Sequence, residues 1–134
     1  MSSNLSLSYT PTKEAPAGAR KARIYILPHR LKGLAASSGT IEGPCTILAR
    51  LENLHTIEDG AILVCETASP KLAVIMHKLK ALVTERGGPL AMASRYAREY
   101  EVPAVVGVNR IMEAVRDGDF IRVDGSKGTV EVTR

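Results

Sequence analysis

From Leu31 onward apolar residues recur densely, and the chain reads as short strands and helices in alternation. The first twenty residues are polar and broken by Pro11, Pro16 and Gly18, the composition of a flexible leader. A short β-like run, RIYIL at 23–27, offers an edge strand before Pro28. Thr40 to Leu48 is also β-like, and Gly43 with Pro44 predicts a bulge or bend inside it. Glu58-Asp59-Gly60 reads as a turn, and Ala61–Cys65 (AILVC) as a short strand of the fully buried type. Ser69 supplies a helix N-cap and Pro70 a first helical residue. Leu72, Ile75, Met76 and Leu79 follow at helical spacing, an apolar stripe fit to cover a sheet.

The same alternation continues to the end. Ala81–Thr84 is a strand closed by Gly87-Gly88-Pro89, and a helix is expected from Leu90 to Glu99. Pro103–Val108 (PAVVGV) is another buried strand, and Ile111–Val115 a short helix ending at Asp117-Gly118. Phe120–Val123 and Thr129–Val132 form a hairpin, because the residues between them, Asp124 to Gly128, are those that accept positive φ. Strands and helices alternating in the middle with β-rich ends predict an α/β domain with a compact mixed sheet and flanking helices. The expected organisation is a flexible basic leader over residues 1–22 and one domain over 23–134, since 134 residues do not hold two full cores.

Charge and composition narrow the function. The net charge of +4 invites a nucleic-acid role, but six of the basic residues fall before Gly33. The body from Gly33 onward carries twelve basic and thirteen acidic residues. One phenylalanine and no tryptophan leave little for a base-stacking platform. Cys45 and Cys65 fit neither a disulfide framework nor a C-x-x-C motif, and both sit in apolar runs where cysteine acts as a small hydrophobe. No run reaches the ~18 apolar residues of a membrane span. The start, MSSNLSLSYT, lacks the charged and apolar regions of a secretory signal, so a cytoplasmic location is expected. No metal-ligand cluster, nucleophile elbow or nucleotide-binding G-x-x-x-x-G-K-S/T is present, and no cofactor is implied.

The candidate site lies in ALVTERGGPLAMASRYAREYEVPAVVGV, residues 81–108. Gly87 and Gly88 permit a sharp turn and close approach of a ligand to the backbone. The following helix points free N–H groups and its positive dipole end at that turn, which suits a phosphate or another anion. Thr84, Arg86, Gly87, Gly88, Leu90 and Ala91 are the candidate anion-binding residues; Pro89 has no N–H to give. The competing reading makes Arg86, Arg95 and Arg98 solvated charges, the helix being paired through Glu99 or Glu101.

The letters of this segment resemble the mobile, or swivelling, phosphohistidine domain of the phosphoenolpyruvate (PEP)-utilising enzymes, such as pyruvate phosphate dikinase and PEP synthase. That family shows T-D/E-x-G-G, then a hydroxyl- or thiol-bearing residue before a histidine, small residues, an A-R pair and a G-I/V-P-A-V-V-G strand. Thr84, Glu85, Gly87, Gly88, Ala97, Arg98 and Val102 to Gly107 stand where that pattern places them. LKGLAASSGTIEGP (31–44), EDGAILVCETASP (58–70) and DGDFIRVDGSKGTVEV (117–132) are similar to three further segments of the family. The resemblance implies a swivelling β/β/α fold that ferries a phosphoryl group between an ATP-binding domain and a PEP-binding barrel.

One departure changes the expected chemistry. Where the family carries its acceptor histidine this chain has Met92, preceded by Ala91 in place of the hydroxyl. A neutral imidazole nitrogen attacks phosphorus and later releases it. A thioether has no proton to lose, and its phosphorylated sulfonium would not survive in water. His29, His55 and His77 read as ordinary surface residues, so no catalytic residue is assigned. The expectation is a non-phosphorylatable docking or regulatory subunit, a pseudo-carrier working with a separate chain that bears an ATP-binding or PEP-binding domain. The alternative is a small subunit of a multi-chain enzyme of another class, dehydratase-like for example, contributing an anion-binding surface. Nucleic-acid binding through the basic leader is the weakest of the three.

Overall fold

The computed structural model of the protein describes residues 30–49 and 51–133. The expected leader, the RIYIL strand and His29 lie outside the described residues. Among the described residues there are eight strands: β1 (Arg30–Lys32), β2 (Leu34–Ser37), β3 (Thr40–Leu48), β4 (Ala61–Cys65), β5 (Leu79–Thr84), β6 (Ala104–Val106), β7 (Phe120–Asp124) and β8 (Thr129–Thr133). Two α-helices, α1 (Met92–Glu99) and α2 (Ile111–Ala114), and two 3-10 helices, Leu51–Thr56 and Pro70–Lys78, complete the described chain.

Alternate residues of the buried strands explain the layering. β3, β4, β5 and β6 run parallel in the centre. On one face Leu63, Leu82, Ala104 and Val106 meet Leu72, Ile75 and Met76 of the second 3-10 helix and Ala93 and Ala97 of α1. On the other face Ile62, Val64, Ala81, Val83 and Val105 meet Ile121 and Val123 of β7, Val130 and Val132 of β8, and Ile111 of α2. A parallel sheet covered on both faces must be apolar on both, which is why AILVC and PAVVGV read as unbroken runs. The result is a helical layer, a parallel sheet and an antiparallel layer: the β/β/α arrangement expected.

Two segments turn the corners between the β layers. β3 pairs antiparallel with β7 through Thr40–Pro44 and parallel with β4 through Cys45–Leu48. No register shift occurs at Gly43-Pro44, so the expected bulge is instead the point where the strand changes neighbours. Proline, lacking an N–H, suits such a handover. β1 and β2, separated only by Gly33, pair β8 and β6 respectively and so join the two ends of the strand order. A Cβ on Gly33 would lie 2.6 Å from the Val106 carbonyl oxygen, so only glycine passes there.

The Pro70–Lys78 segment starts as expected, with Ser69 Oγ accepting from the Lys71 amide at 3.2 Å, but it is a 3-10 helix and Leu79 already belongs to β5. The crossover from β4 must run back along a strand five to six residues long. Nine residues cover about 18 Å at the 3-10 rise of ~2.0 Å, against about 14 Å as an α-helix. A strand of that length spans ~17–20 Å, so the stretched helix fits the short connection. The helix expected from Leu90 begins at Met92, with Ala91 extended before it (φ −66°, ψ 157°).

Candidate functional site

The turn from Thr84 to Met92 leaves the C-terminal end of β5 and is held from several sides. Past the strand ends, the Glu85 amide donates to the Cys65 carbonyl at 3.0 Å and the Arg86 amide to the Glu66 carbonyl at 2.9 Å, extending the β4–β5 ladder. Thr84 is fully buried, and its hydroxyl donates to the Arg86 carbonyl at 2.7 Å. Arg86 Nε lies 3.1 Å from Glu66 Oε2, an ion pair whose side chains are 71% and 57% exposed. Gly87 has φ +129° and faces Gly107, itself at φ +66°, where a Cβ would come within 2.8 Å of the Gly87 carbonyl oxygen. Two glycines thus let the β5 and β6 ends meet backbone to backbone.

Beyond Gly87 the carbonyls are drawn inward. The Gly88 carbonyl accepts from the Ala91 amide at 3.0 Å and from the hydroxyl of fully buried Ser94 at 2.7 Å. The Pro89 carbonyl accepts from Arg98 Nη2 at 3.2 Å, while Arg98 Nη1 donates to the Ala36 carbonyl at 3.3 Å. Leu90 is 84% exposed, and Met92, half-buried, opens α1. The first helical bond of α1 runs from the Arg95 amide to the Ala91 carbonyl at 3.1 Å. The amides of Met92, Ala93 and Ser94 precede it and point toward the turn, as first-turn amides do.

The structure therefore gathers the candidate residues Thr84, Arg86, Gly87, Gly88, Leu90 and Ala91 in one turn beside Met92, exposed except for buried Thr84 and half-buried Gly88 and Ala91. Three of them already have partners within the chain: the Thr84 hydroxyl the Arg86 carbonyl, Arg86 Nε the Glu66 carboxylate at the surface, and the Ala91 amide the Gly88 carbonyl. Arg98 pairs with neither Glu99 nor Glu101 but with two carbonyls. Sequence reasoning missed Ser94 and Glu66 as supports, and the use made of Arg98. A serine inside an otherwise small-residue helix face was the one available signal, since serine there is found bonding local backbone. Glu85 was also unassigned: its Oε1 accepts from the Met112 amide at 3.0 Å and steadies α2.

Other candidate chemistry stays apart from the turn. His55 and His77 are exposed on the two 3-10 helices. Cys45 and Cys65 are free and buried, and burial pushes their thiols up to about 11 and about 12 respectively, with the Asp119 charge adding to the effect at Cys45. Among the described residues no group of three His, Cys, Asp or Glu side chains could hold a metal ion, and no helix is long and apolar enough to cross a membrane.

The three-layer fold and the glycine turn define a domain of the swivelling type. Residues 57–128 match the mobile domain of the PEP-utilising enzymes, and the chain belongs to that family. It is similar to an uncharacterised phosphotransferase of Bacillus subtilis, YvkC, at 36% identity over 129 residues, covering 92% of this chain and 16% of the relative. It is also similar to the rifampicin phosphotransferase of Bacillus subtilis, at 41% over 100 residues, covering 75% of this chain and 11% of the relative. The chain thus spans less than a fifth of either. Among solved structures, the solution structure of Enzyme I (nEIt) superposes with a TM-score of 0.53 at 29% identity, over 60% of this chain and 34% of that one. Aconitase X from Thermococcus kodakaraensis superposes with a TM-score of 0.59 over 78% of this chain and 98% of that one, at 19% identity, a likeness of fold alone.

Proposed function

We propose that this PEP-utiliser mobile domain docks within a phosphoryl-transfer system without carrying the phosphoryl group, as a docking or regulatory subunit. The observation that carries the proposal is the residue at the start of α1. Met92 opens the helix directly after the glycine turn, where the family pattern has its acceptor. The thioether is no substitute for an imidazole, and neither described histidine stands at the family's acceptor position: His55 and His77 belong to the two 3-10 helices, not to the glycine turn or α1. What the turn retains is shape, since Thr84, Ser94 and Arg98 each hold one of its carbonyls. A retained shape with a lost acceptor suits recognition. The partner in this reading is a separate chain bearing an ATP-binding or PEP-binding domain, and the site of action is the cytoplasm.

A second reading draws on the fold likeness to aconitase X. There the chain would be a small subunit of a dehydratase-like enzyme, and the turn would contribute an anion-binding surface. With Ala91 committed to Gly88, the donors for that anion are the first-turn amides of α1, and Arg86 shares its charge with Glu66 through Nε. The sequence relatives, both phosphotransferases by name, favour the first reading. Co-purification from the native host with identification of the bound chain separates the two. A partner with an ATP-binding or PEP-binding domain supports docking in phosphoryl transfer. A dehydratase-like large chain replaces that reading with the second, and a chain recovered alone removes both.

A further inference from the structure

Three side chains hold the carbonyls of the turn, and they differ in reach. Thr84 and Ser94 are fully buried and belong to the elements that flank the turn, β5 and α1. Each fixes the turn to its own neighbour. Arg98 alone ties it to a distant strand, with Nη1 on the Ala36 carbonyl of β2 at 3.3 Å and Nη2 on the Pro89 carbonyl at 3.2 Å. We propose that Arg98 is the positioning residue of this turn: one guanidinium, bonded to two backbone carbonyls, sets Pro89 and the exposed Leu90 after it at a fixed place against β2. The proposal rests on the docking reading, in which the turn is the surface that a partner meets.

The residue type matters to this role. A guanidinium is planar and presents its donors in a rigid fork, so two acceptors held by it are fixed relative to each other. A lysine ammonium, on a flexible stem, reaches one carbonyl at a time. Both acceptors are neutral, and bonds from a charged donor are about twice as strong as neutral ones. Fixing the turn before a partner arrives removes part of the ordering cost of docking. Arg98 performs this at the surface. It lines an open cleft of about 430 Å³ together with Ala36, Ser37, Ser38 and Glu101. Its replacement therefore leaves the core intact, and the variants needed for a test should fold.

Backbone order parameters from nitrogen-15 relaxation, measured on the whole chain, test the role. In the wild type the amides of residues 87, 88, 90 and 91 should be near the rigid value of about 0.85, and in Arg98→Gln they should fall toward or below about 0.6. Arg98→Lys should fail to restore them, which a role of charge alone would not predict. Glu101→Gln, altering the same cleft without touching the tie, should leave them unchanged, and urea curves should show all four proteins fully folded under the conditions of the measurement. A turn that is already mobile in the wild type, or equally rigid in Arg98→Gln, overturns the proposal. Rescue by lysine also overturns the fork. None of these outcomes depends on a partner. If no partner is ever found, the docking reading fails while the measured tie stands; if the tie is absent, docking survives without Arg98.

Discussion

Replacing Glu101 by glycine should stabilise the protein, although it deletes a side chain. Glu101 follows the last turn of α1 with φ +57°, the left-handed region. Its amide donates to the Arg98 carbonyl at 3.3 Å and the next amide, Val102, to the Ala97 carbonyl at 2.8 Å. Both Val102 and Ala97 are buried. This is the Schellman ending of a helix, with glutamate where glycine is usual. The left-handed conformation costs a residue with a Cβ roughly 1–2 kcal/mol. Glycine relieves that, but its freer unfolded chain takes back about 0.4–1 kcal/mol. The Glu101 side chain is exposed, so its own loss weighs little. A net gain of about 0.5–1 kcal/mol is expected, or a rise in Tm of about 1–8 °C at ~2–8 °C per kcal/mol for domains of this size range. Urea unfolding should show a higher midpoint with an unchanged slope. Glu101→Ala is the control, for it removes the carboxylate and keeps the Cβ. If glycine is no more stable than alanine at this position, the backbone conformation is not the source of the gain and the reasoning fails.

Further outcomes follow from the same geometry. Gly107→Ala places a Cβ 2.8 Å from the Gly87 carbonyl oxygen at φ +66°, and should lower stability by about 1–3 kcal/mol while shifting the amide signals of residues 87–91; an unshifted turn would count against the close β5–β6 contact. Ser94→Ala should cost about 0.5–1.5 kcal/mol in urea unfolding, toward the low end because the Gly88 carbonyl keeps the Ala91 amide. Cys45 and Cys65 should resist a thiol reagent at pH 8 until the protein unfolds, and fast labelling of the folded chain would contradict their burial. Because burial raises both thiols, to about 11 and about 12, the folded state holds protons that the unfolded chain gives up from about pH 8.5. Stability should therefore be unaffected by these thiols below that pH and fall as pH rises toward the folded values; a melt series that rises with pH across this range would refute the sign.

The central sheet was legible because strands buried on both faces leave unbroken apolar runs, and AILVC became β4 to the residue. The hairpin was legible in its turn residues: Asp124 Oδ1 accepts from the Ser126 and Lys127 amides at 3.0 and 2.9 Å, and Gly128 takes φ +77°. The kind of helix at Pro70–Lys78 was not, since Leu72 and Ile75 are spaced by three and suit either helix; the distance to be spanned decided it. The glycine turn was legible as a motif, but its supports were not. Glu66 meets Arg86 and Arg98 meets Ala36 across the fold, and pairings between residues so far apart in sequence leave no local pattern to read.

Phosphoryl uptake tests the proposed function most directly. The wild-type chain is incubated with PEP or ATP and an active phosphotransferase of the family, and acid-labile phosphate is followed by intact mass and peptide mapping, with a relative's own mobile domain as the positive control. With Met92 at the head of α1 the chain should take up none while the control is labelled. Stoichiometric phosphate mapped to His29, His55 or His77 would show that the chain carries the group after all, and would contradict a docking role without transfer.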